Sequence, residues 1–342
     1  MSKPTAAHPP DFAAALAEAA HLVHRGRRFL CAAHAPVDGD ALGAMLVTAH
    51  GLTALGKEVV LLSPEPIPAR LGFLPGADRV LRRLPRGSRF DATLVHDTGA
   101  RHLLGERFPE REISGPLIVL DHHAVSSEFG DIGVRDASAA STGVLSWRLL
   151  GELGLREQDM SPALATALLT SLVEDTGWFR YSSTNPEALR LAAACVAAGA
   201  SPWGLALELE ESSSPASLRL LRLVLGTLEL HCDERLALLT LTDDMMREAG
   251  ATPDDVPKLV NYARSLRGVE VGALLTHGDR EMYVSLRGKG RVDVARIAAR
   301  FGGGGHHSAA GCTIAATDEQ SRAAARTALV QAVAAALAGE LQ

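Results

Sequence analysis

The chain has 342 residues, of which 47% are hydrophobic and 22% are charged, and its formal net charge is −6. This length and composition are typical of a globular protein of about two domains, and the acidic balance argues against a broad basic groove for long or duplex nucleic acid. The four cysteines (Cys31, Cys195, Cys232 and Cys312) form no CxxC pair, and no uninterrupted apolar stretch is long enough to span a bilayer, so we expect reduced thiols, a cytoplasmic protein and no membrane partner.

The first half of the chain alternates strand and helix signals. Its strand candidates are nearly continuous apolar runs, as expected for strands buried on both faces of a parallel sheet. They cover residues 28–34, 57–63, 90–97 and 115–121, and helices are predicted over 41–56, 139–151 and 161–173. This order predicts a doubly wound α/β domain over residues 1–185, with a flexible tail over 1–10.

A helical stretch rich in Ala and Leu follows, with Asn185 as the predicted N-cap before Pro186. We interpret residues 186–229 as a helical connector and residues 230–342 as a smaller domain of mixed α/β structure. Its predicted strands lie near 236–242, 269–275, 281–287 and 309–315, and its predicted helices lie near 254–266, 293–300 and 318–338.

Acidic and imidazole side chains follow the strands and one helix of the first domain at four places. They are His34, Asp38 and Asp40 in AAHAPVDGDALG, Asp97 in TLVHDTG, Asp121-His122-His123 in IVLDHHAVS, and Asp175 in TSLVEDTGWF. A single strand-end Asp is usually a turn or capping residue. The joint occurrence matters more, because the carboxyl ends of strands in an open α/β sheet converge on one crevice.

Four carboxylates (Asp38, Asp40, Asp97 and Asp175) brought together without counter-charge would repel one another strongly. Two divalent cations would balance them. With His34 and one imidazole of the DHH tripeptide, the ligand set becomes a mixture of nitrogen and oxygen, which suits Mn²⁺ better than Mg²⁺ or Ca²⁺.

These four places resemble the motifs of the DHH phosphoesterase superfamily. The resemblance implies that one metal ion takes His34, Asp38 and Asp97, and that the other takes Asp40, Asp97, His122 and Asp175. Asp97 would bridge the two ions. It further implies that His123 faces the substrate phosphate and that Asp121 orients the imidazoles.

Two residues depart from the family pattern. His96 and Glu174 stand where the family more often has apolar or small residues. Strand alternation predicts that His96 points away from the crevice. If either side chain pointed into it, the ligand assignment would need revision.

A glycine run marks the second domain, in the segment VSLRGKGRVDVARIAARFGGGGHHSAAG (284–311). Four consecutive glycines can bring backbone N–H groups close to an anion. The segment resembles the DHHA1 domain, which implies a substrate-binding wall. The residues that carry over to substrate binding are Arg287, Gly302, Gly303, Gly304, Gly305 and His306.

The two-domain resemblance implies in-line attack of an activated water on phosphorus, with no Ser or Cys nucleophile. The chain has the length of the stand-alone oligoribonuclease and adenosine-3′,5′-bisphosphate phosphatase type. We therefore expect a Mn²⁺-dependent phosphodiesterase that acts on short single-stranded RNA or dinucleotides, with adenosine bisphosphate as a second substrate. A soluble phosphodiesterase for linear or cyclic di-adenylate and a catalytically silent nucleotide-binding module are the alternatives. The resemblance alone suggests a homodimer.

Overall fold

A computed structural model describes residues 11–123, 129–256 and 259–339, apart from the side chains of Asp254 and His306. The chain divides into two compact units, Met1–Ser212 and Ser213–Gln342. Each unit contains a six-stranded sheet with helices. The predicted fold class, a parallel-sheet α/β domain followed by a smaller mixed α/β domain, is confirmed.

The first unit contains a wholly parallel sheet in the order β3-β2-β1-β4-β5-β6. Its elements in chain order are α1 (Phe12–Arg25), β1 (Arg28–Ala33), α2 (Gly39–Ala54), β2 (Glu58–Leu62), β3 (Val80–Leu81), β4 (Ala92–His96), α3 (Arg111–Ser114), β5 (Leu117–Asp121), β6 (Ile132–Arg135), α4 (Thr142–Glu152), α5 (Pro162–Asp175), α6 (Pro186–Ala197) and α7 (Pro202–Leu209).

Both faces of this sheet are buried, which explains the continuous apolar runs in its central strands. In β1, Phe29 and Cys31 point into the large core formed with the helices, whereas Leu30 joins a smaller cluster with Leu62 and Phe90. Helix α2 packs against both α4 and α5. The Asp38 carboxylate caps α2 by accepting a hydrogen bond from the Ala41 amide, at 2.9 Å.

The second unit contains a mixed sheet in the order β11-β12-β10-β9-β8-β7, in which only the described pair β8–β9 is parallel. Its elements are α8 (Pro215–Leu225), β7 (Glu229–His231), β8 (Leu236–Leu241), α9 (Asp243–Ala249), α10 (Leu259–Ser265), β9 (Val271–His277), β10 (Glu281–Gly288), α11 (Val294–Ala299), β11 (Gly304–His306), β12 (Ala309–Ala315) and α12 (Glu319–Leu337). Alternation along β8 sends Leu238 and Leu239 into two different cores on opposite faces.

The segment predicted as a connector, 186–229, is divided between the two units. Helices α6 and α7 contribute Leu191, Cys195 and Leu205 to the core of the first unit. Helix α8 contributes Leu220 and Val224 to a core of the second unit. The division at Ser212 therefore differs from the predicted boundaries at 185 and 229, because both halves of the segment bury apolar faces.

Within the described residues, no single helix is long and apolar enough to cross a membrane. Helices α6 and α7 reach that length and composition only as a pair, and they are bent by 104° at their junction.

Candidate metal centre

Three adjacent strands at the middle of the parallel sheet end in the predicted site residues. Strand β4 lies between β1 and β5, with His96 paired to Ala33 on one side and to Leu120 on the other. His34 follows β1, Asp97 follows β4, and the DHH tripeptide begins with Asp121, the last residue of β5. The carboxyl edge of the sheet therefore brings these three motifs together.

The first group of potential metal ligands consists of His34, Asp38 and Asp97. One ligand atom from each lies within 4.8 Å of the others. His34 Nε2 is 3.4 Å from Asp97 Oδ2. Both imidazole nitrogen and carboxylate oxygen are thus available to one ion.

The second group consists of Asp40, His122 and Asp175, again with ligand atoms within 4.8 Å of one another. His122 Nε2 lies 2.8 Å from Asp175 Oδ2 and 3.5 Å from Asp40 Oδ2. It is also 3.7 Å from Asp97 Oδ1.

Asp97 belongs to the first group and also forms a third group with His122 and His123. Its Oδ2 is directed to His34 and its Oδ1 to His122. Its backbone has a φ of +54°, in the left-handed region that a non-glycine residue seldom adopts. This arrangement fits the bridging role expected of Asp97, and we retain that role as a prediction.

His123 makes a short contact with Asp121, whose side chain is fully buried. The distance from His123 Nδ1 to Asp121 Oδ1 is 2.6 Å, and the His123 amide also donates to this oxygen. The contact with Asp121 holds the His123 ring, and the role of His123 at the substrate phosphate remains a prediction. For His122 the carbonyl oxygen of Ala139 accepts from Nδ1 at 3.2 Å, a partner that the sequence did not reveal.

The electrostatics of the cluster favour cations. Burial raises the pKa of Asp38, helped by the charge of Asp97, to about 6, and it raises the pKa of Asp40 well above the usual value. Burial would lower the pKa of His34, but the hydrogen bond with Asp97 and the charge of Asp38 outweigh it and raise that pKa to about 9. Buried carboxylates that repel one another are stabilised by nearby positive charge. The buried carboxylates and imidazoles therefore fit a pair of divalent ions.

Comparison with known proteins gives the family. The DHHA1 domain family matches residues 235–338. The chain is 33% identical over 294 residues to the bifunctional oligoribonuclease and PAP phosphatase NrnA of Thermus thermophilus, covering 84% of each chain. The chain belongs to the DHH–DHHA1 phosphoesterase family. This membership confirms the resemblance, including its NrnA type, and makes the protein a hydrolase of phosphate esters.

Other relatives and solved structures agree with this family. The NrnA protein of Bacillus subtilis is 25% identical over 297 residues, covering 84% of this chain and 90% of that one. An exopolyphosphatase-related protein from Bacteroides fragilis superposes with a TM-score of 0.83 at 25% identity, covering 97% and 98% of the two chains. The nuclease RecJ of Thermus thermophilus, solved with Mn²⁺, shares the fold at 16% identity and a TM-score of 0.54, covering 96% of this chain and 55% of RecJ.

Residues outside the family motifs also hold the predicted ligands in place. The Thr142 hydroxyl donates to Asp97 Oδ1 at 2.8 Å, and the Thr142 amide donates to Asp40 Oδ2 at 2.8 Å. The Gly143 amide and the Ser171 hydroxyl both donate to Asp40 Oδ1, at 3.2 and 2.5 Å. The first turn of α4 thus stabilises a buried carboxylate with its free amides.

His96 and Glu174, the two departures from the family pattern, have different surroundings. His96 points into the interior, with Nδ1 3.2 Å from the Ala32 oxygen and Nε2 2.9 Å from Thr48 Oγ1. Glu174 packs against the first turn of α2, where a Cβ added at Gly39 would be 2.3 Å from Glu174 Cγ. Neither residue belongs to a group of described side chains that could hold a metal ion.

The predicted substrate residues of the DHHA1 domain lie near the end of β10, in β11 and in the two residues before β11. Arg287 is the penultimate residue of β10, paired with Ala309 and Gly272. The prediction for the His306 side chain lies outside the described part of the structure. Phosphate binding by Arg287 and the glycines remains a prediction.

Local geometry explains three of the four glycines. Gly302 and Gly305 have φ of +75° and +142°, and a Cβ at Gly303 would lie 2.1 Å from the Gly311 oxygen. A Cβ at Gly304 would meet nothing within 4 Å. The run therefore has a backbone role that does not depend on an anion.

Proposed function

We propose that this protein hydrolyses short RNA oligonucleotides, from dinucleotides to a few nucleotides, to mononucleotides. We extend the proposal to removal of the 3′-phosphate of adenosine 3′,5′-bisphosphate. The observation that carries it is the 33% identity to an oligoribonuclease and PAP phosphatase over 84% of both chains. The motif residues gathered at one sheet edge support it.

The metal ions are proposed as two divalent cations, with Mn²⁺ preferred because the donors mix imidazole nitrogen with carboxylate oxygen. When bound, such a pair activates a water molecule and neutralises phosphoryl charge. One ion would be held by the first group, the other by the second group, and Asp97 would serve both. The residues in these roles are His34, Asp38, Asp40, Asp97, His122 and Asp175.

The chain's own groups would then bind and orient the phosphate. Burial would lower the pKa of His123, but the hydrogen bond with Asp121 and the charge of Asp97 outweigh it and raise that pKa. A protonated His123 can donate to a phosphoryl oxygen and so stabilise charge that develops there. In the DHHA1 domain, Arg287 and the glycine amides are proposed to bind substrate phosphate.

The test is a substrate panel with the purified chain in Mn²⁺: RNA of 2 to 20 nucleotides, adenosine bisphosphate, and linear and cyclic di-adenylate. We expect the highest kcat/KM for dinucleotides and a steep fall with length. Highest activity on the 20-mer would overturn the preference for short substrates. Highest activity on cyclic di-adenylate would favour the alternative function.

Asp97→Asn tests the site itself. We expect kcat to fall by at least about 10³-fold, because metal-ion stabilisation of the transition state is worth several kcal/mol. Asp78→Asn, an exposed carboxylate on the first unit, is the matched control. An unchanged rate in Asp97→Asn would refute the proposed centre.

A further inference from the structure

One arginine, which belongs to none of the family motifs, lies near the N-terminus of α2, where Asp38 and Asp40 are found. Arg70, in a short 3₁₀ helix after β2 (Ala69–Leu71), places Nη1 3.0 Å from Glu174 Oε2. The Arg70 side chain is 28% exposed and that of Glu174 is 17% exposed. Glu174 in turn packs on Gly39, between Asp38 and Asp40.

The pair is unusual because Glu174 adds a fifth carboxylate next to the four of the metal centre. It belongs to none of the three groups of described side chains that could hold a metal ion. A carboxylate in this place costs energy by like-charge repulsion, and Arg70 offsets that cost. Glu174 therefore serves to hold a guanidinium at the rim of the centre.

The Arg70 guanidinium has N–H donors in addition to the one that Glu174 engages. It carries five N–H bonds in a fixed planar fork, and Glu174 engages one terminal nitrogen. Among the described side chains, no second carboxylate lies within ion-pair distance of Arg70. A partly exposed guanidinium held by a carboxylate is well suited to bind a phosphate through two parallel hydrogen bonds.

We infer that Arg70 binds the second phosphate of the substrate, the one that is not cleaved, with Glu174 holding the guanidinium in place. This inference rests on the proposed function. Both proposed substrates, a 5′-phosphorylated dinucleotide and adenosine 3′,5′-bisphosphate, carry such a phosphate beside the scissile one. The described ion pair of Arg70 is with Glu174 and not with a predicted metal ligand. A phosphate bound by Arg70 would therefore be one that the metal ions do not hold.

The experiment compares wild type and one variant on pairs of substrates that differ only in the second phosphate. Arg70→Met and wild type are assayed on adenosine 3′,5′-bisphosphate against adenosine 3′-monophosphate, and on pApA against ApA. We expect Arg70→Met to raise KM by about 10- to 100-fold for the substrates with the second phosphate, as for loss of a charged hydrogen bond. For the substrates that lack it, KM should change by less than about 2-fold.

Matched variants separate binding from a structural role. Arg70→Lys should restore part of the loss, since the charge returns without the fork. Arg79→Met, at an exposed arginine in the next 3₁₀ helix, should behave as wild type. The double variant Arg70→Met/Glu174→Met leaves no lone carboxylate, so it should fold and still show the raised KM.

Several outcomes would overturn the inference. Equal loss on both members of a substrate pair would assign Arg70 to the scissile phosphate or to folding. A double variant with wild-type KM would make the pair purely structural. If wild type turned over none of these substrates, the proposed function would have failed, and calorimetric binding of adenosine bisphosphate to the Mn²⁺-loaded wild type and Arg70→Met would still decide the role of Arg70.

Discussion

Thr142 connects two of the predicted metal ligands through one residue. Its hydroxyl donates to Asp97 and its amide to Asp40, in a fully buried position. Groups that hydrogen-bond to metal ligands fix the orientation of the carboxylates before an ion arrives. We therefore expect the two hydrogen bonds of Thr142 to contribute to the affinity of the site for metal ions.

Thr142→Val tests this role, because Val keeps the shape of the side chain and removes the hydroxyl. We expect the affinity for Mn²⁺ to fall by about 10-fold or more. Isothermal titration calorimetry measures it, and Thr142→Ser, which keeps the hydroxyl, should bind nearly as wild type. Equal Mn²⁺ affinity of Thr142→Val and wild type would show that the Thr142 hydroxyl does not contribute to metal binding.

The gathering of the predicted ligand residues could be foreseen from the sequence, and the groups that support them could not. His34, Asp97 and the DHH tripeptide lie where apolar strands end, so their position marks them. Thr142 and Ser171 lie in helices, where Ser and Thr are common at a first turn or among small packing residues. Nothing in their local pattern predicts that they meet Asp40 more than 100 and 130 residues away.

His96 provides a prediction of pH dependence. Burial lowers the pKa of His96 to about 4, and this outweighs the hydrogen bond with the Ala32 carbonyl. The unfolded imidazole titrates at about 6.5, so between these values the unfolded state binds more protons. The stability that His96 contributes is complete above pH 6.5 and is lost as the pH falls towards 4.

We expect wild type to lose about 2 kcal/mol more unfolding free energy than His96→Gln between pH 7 and pH 5. Urea denaturation in the presence of a chelator measures both proteins, so that the other groups of the site contribute equally. Parallel pH curves for the two proteins would contradict the prediction.

Among the elements, the buried strands and long helices were predictable, and the edge strands were not. Strands β1, β4 and β5 are continuous apolar runs, and each was predicted within about two residues. Strand β6 alternates in burial over only four residues, and β3 has only two. Strand β11 begins with two glycines, which have low strand propensity, and its pairing with β12 supplies the reason for its conformation.

Helix α4 is placed by close packing of small residues against α5. A Cβ added at Gly143 would lie 2.1 Å from Ser171 Oγ, the hydroxyl that donates to Asp40. Gly143→Ala should cost about 1 to 3 kcal/mol by overpacking, and it should weaken metal binding because Ser171 must move. Thermal melting and Mn²⁺ titration measure the two effects.

Gly151 on the same helix is the matched control. A Cβ there would meet nothing within 4 Å, so Gly151→Ala should be neutral or stabilising by up to about 1 kcal/mol. Similar melting temperatures for the two variants would show that the contact between α4 and α5 is not tight.

At the scale of the whole molecule, each unit has cores of its own. The large core of the first unit draws its residues from Phe12 to Leu209, and the cores of the second unit draw theirs from Leu220 to Val333. An amphipathic helix shows in sequence that it buries one face, but not which sheet it packs on. For this reason the sequence pattern of α6 and α7 is compatible with a connector as well as with a core.

Two truncated chains, 1–212 and 1–185, test where the first unit ends. All predicted metal ligands lie between His34 and Asp175, so residues 1–212 should fold alone and bind Mn²⁺ with the stoichiometry of the full chain and within about 3-fold of its affinity. Hydrolysis of dinucleotides should fall by at least about 100-fold, because the predicted substrate residues around Arg287 are absent.

Residues 1–185 contain the same ligands but lack α6 and α7, which bury Leu191, Cys195, Leu205 and Leu209 in the core. Removing these side chains exposes a wide apolar surface on the remaining helices, and each buried Leu contributes about 2 kcal/mol or more. We therefore expect the 1–185 fragment to aggregate or to melt without cooperativity, as measured by circular dichroism and size-exclusion chromatography. Equal stability of the 1–212 and 1–185 fragments would show that residues 186–212 are a connector and not part of the folded first unit.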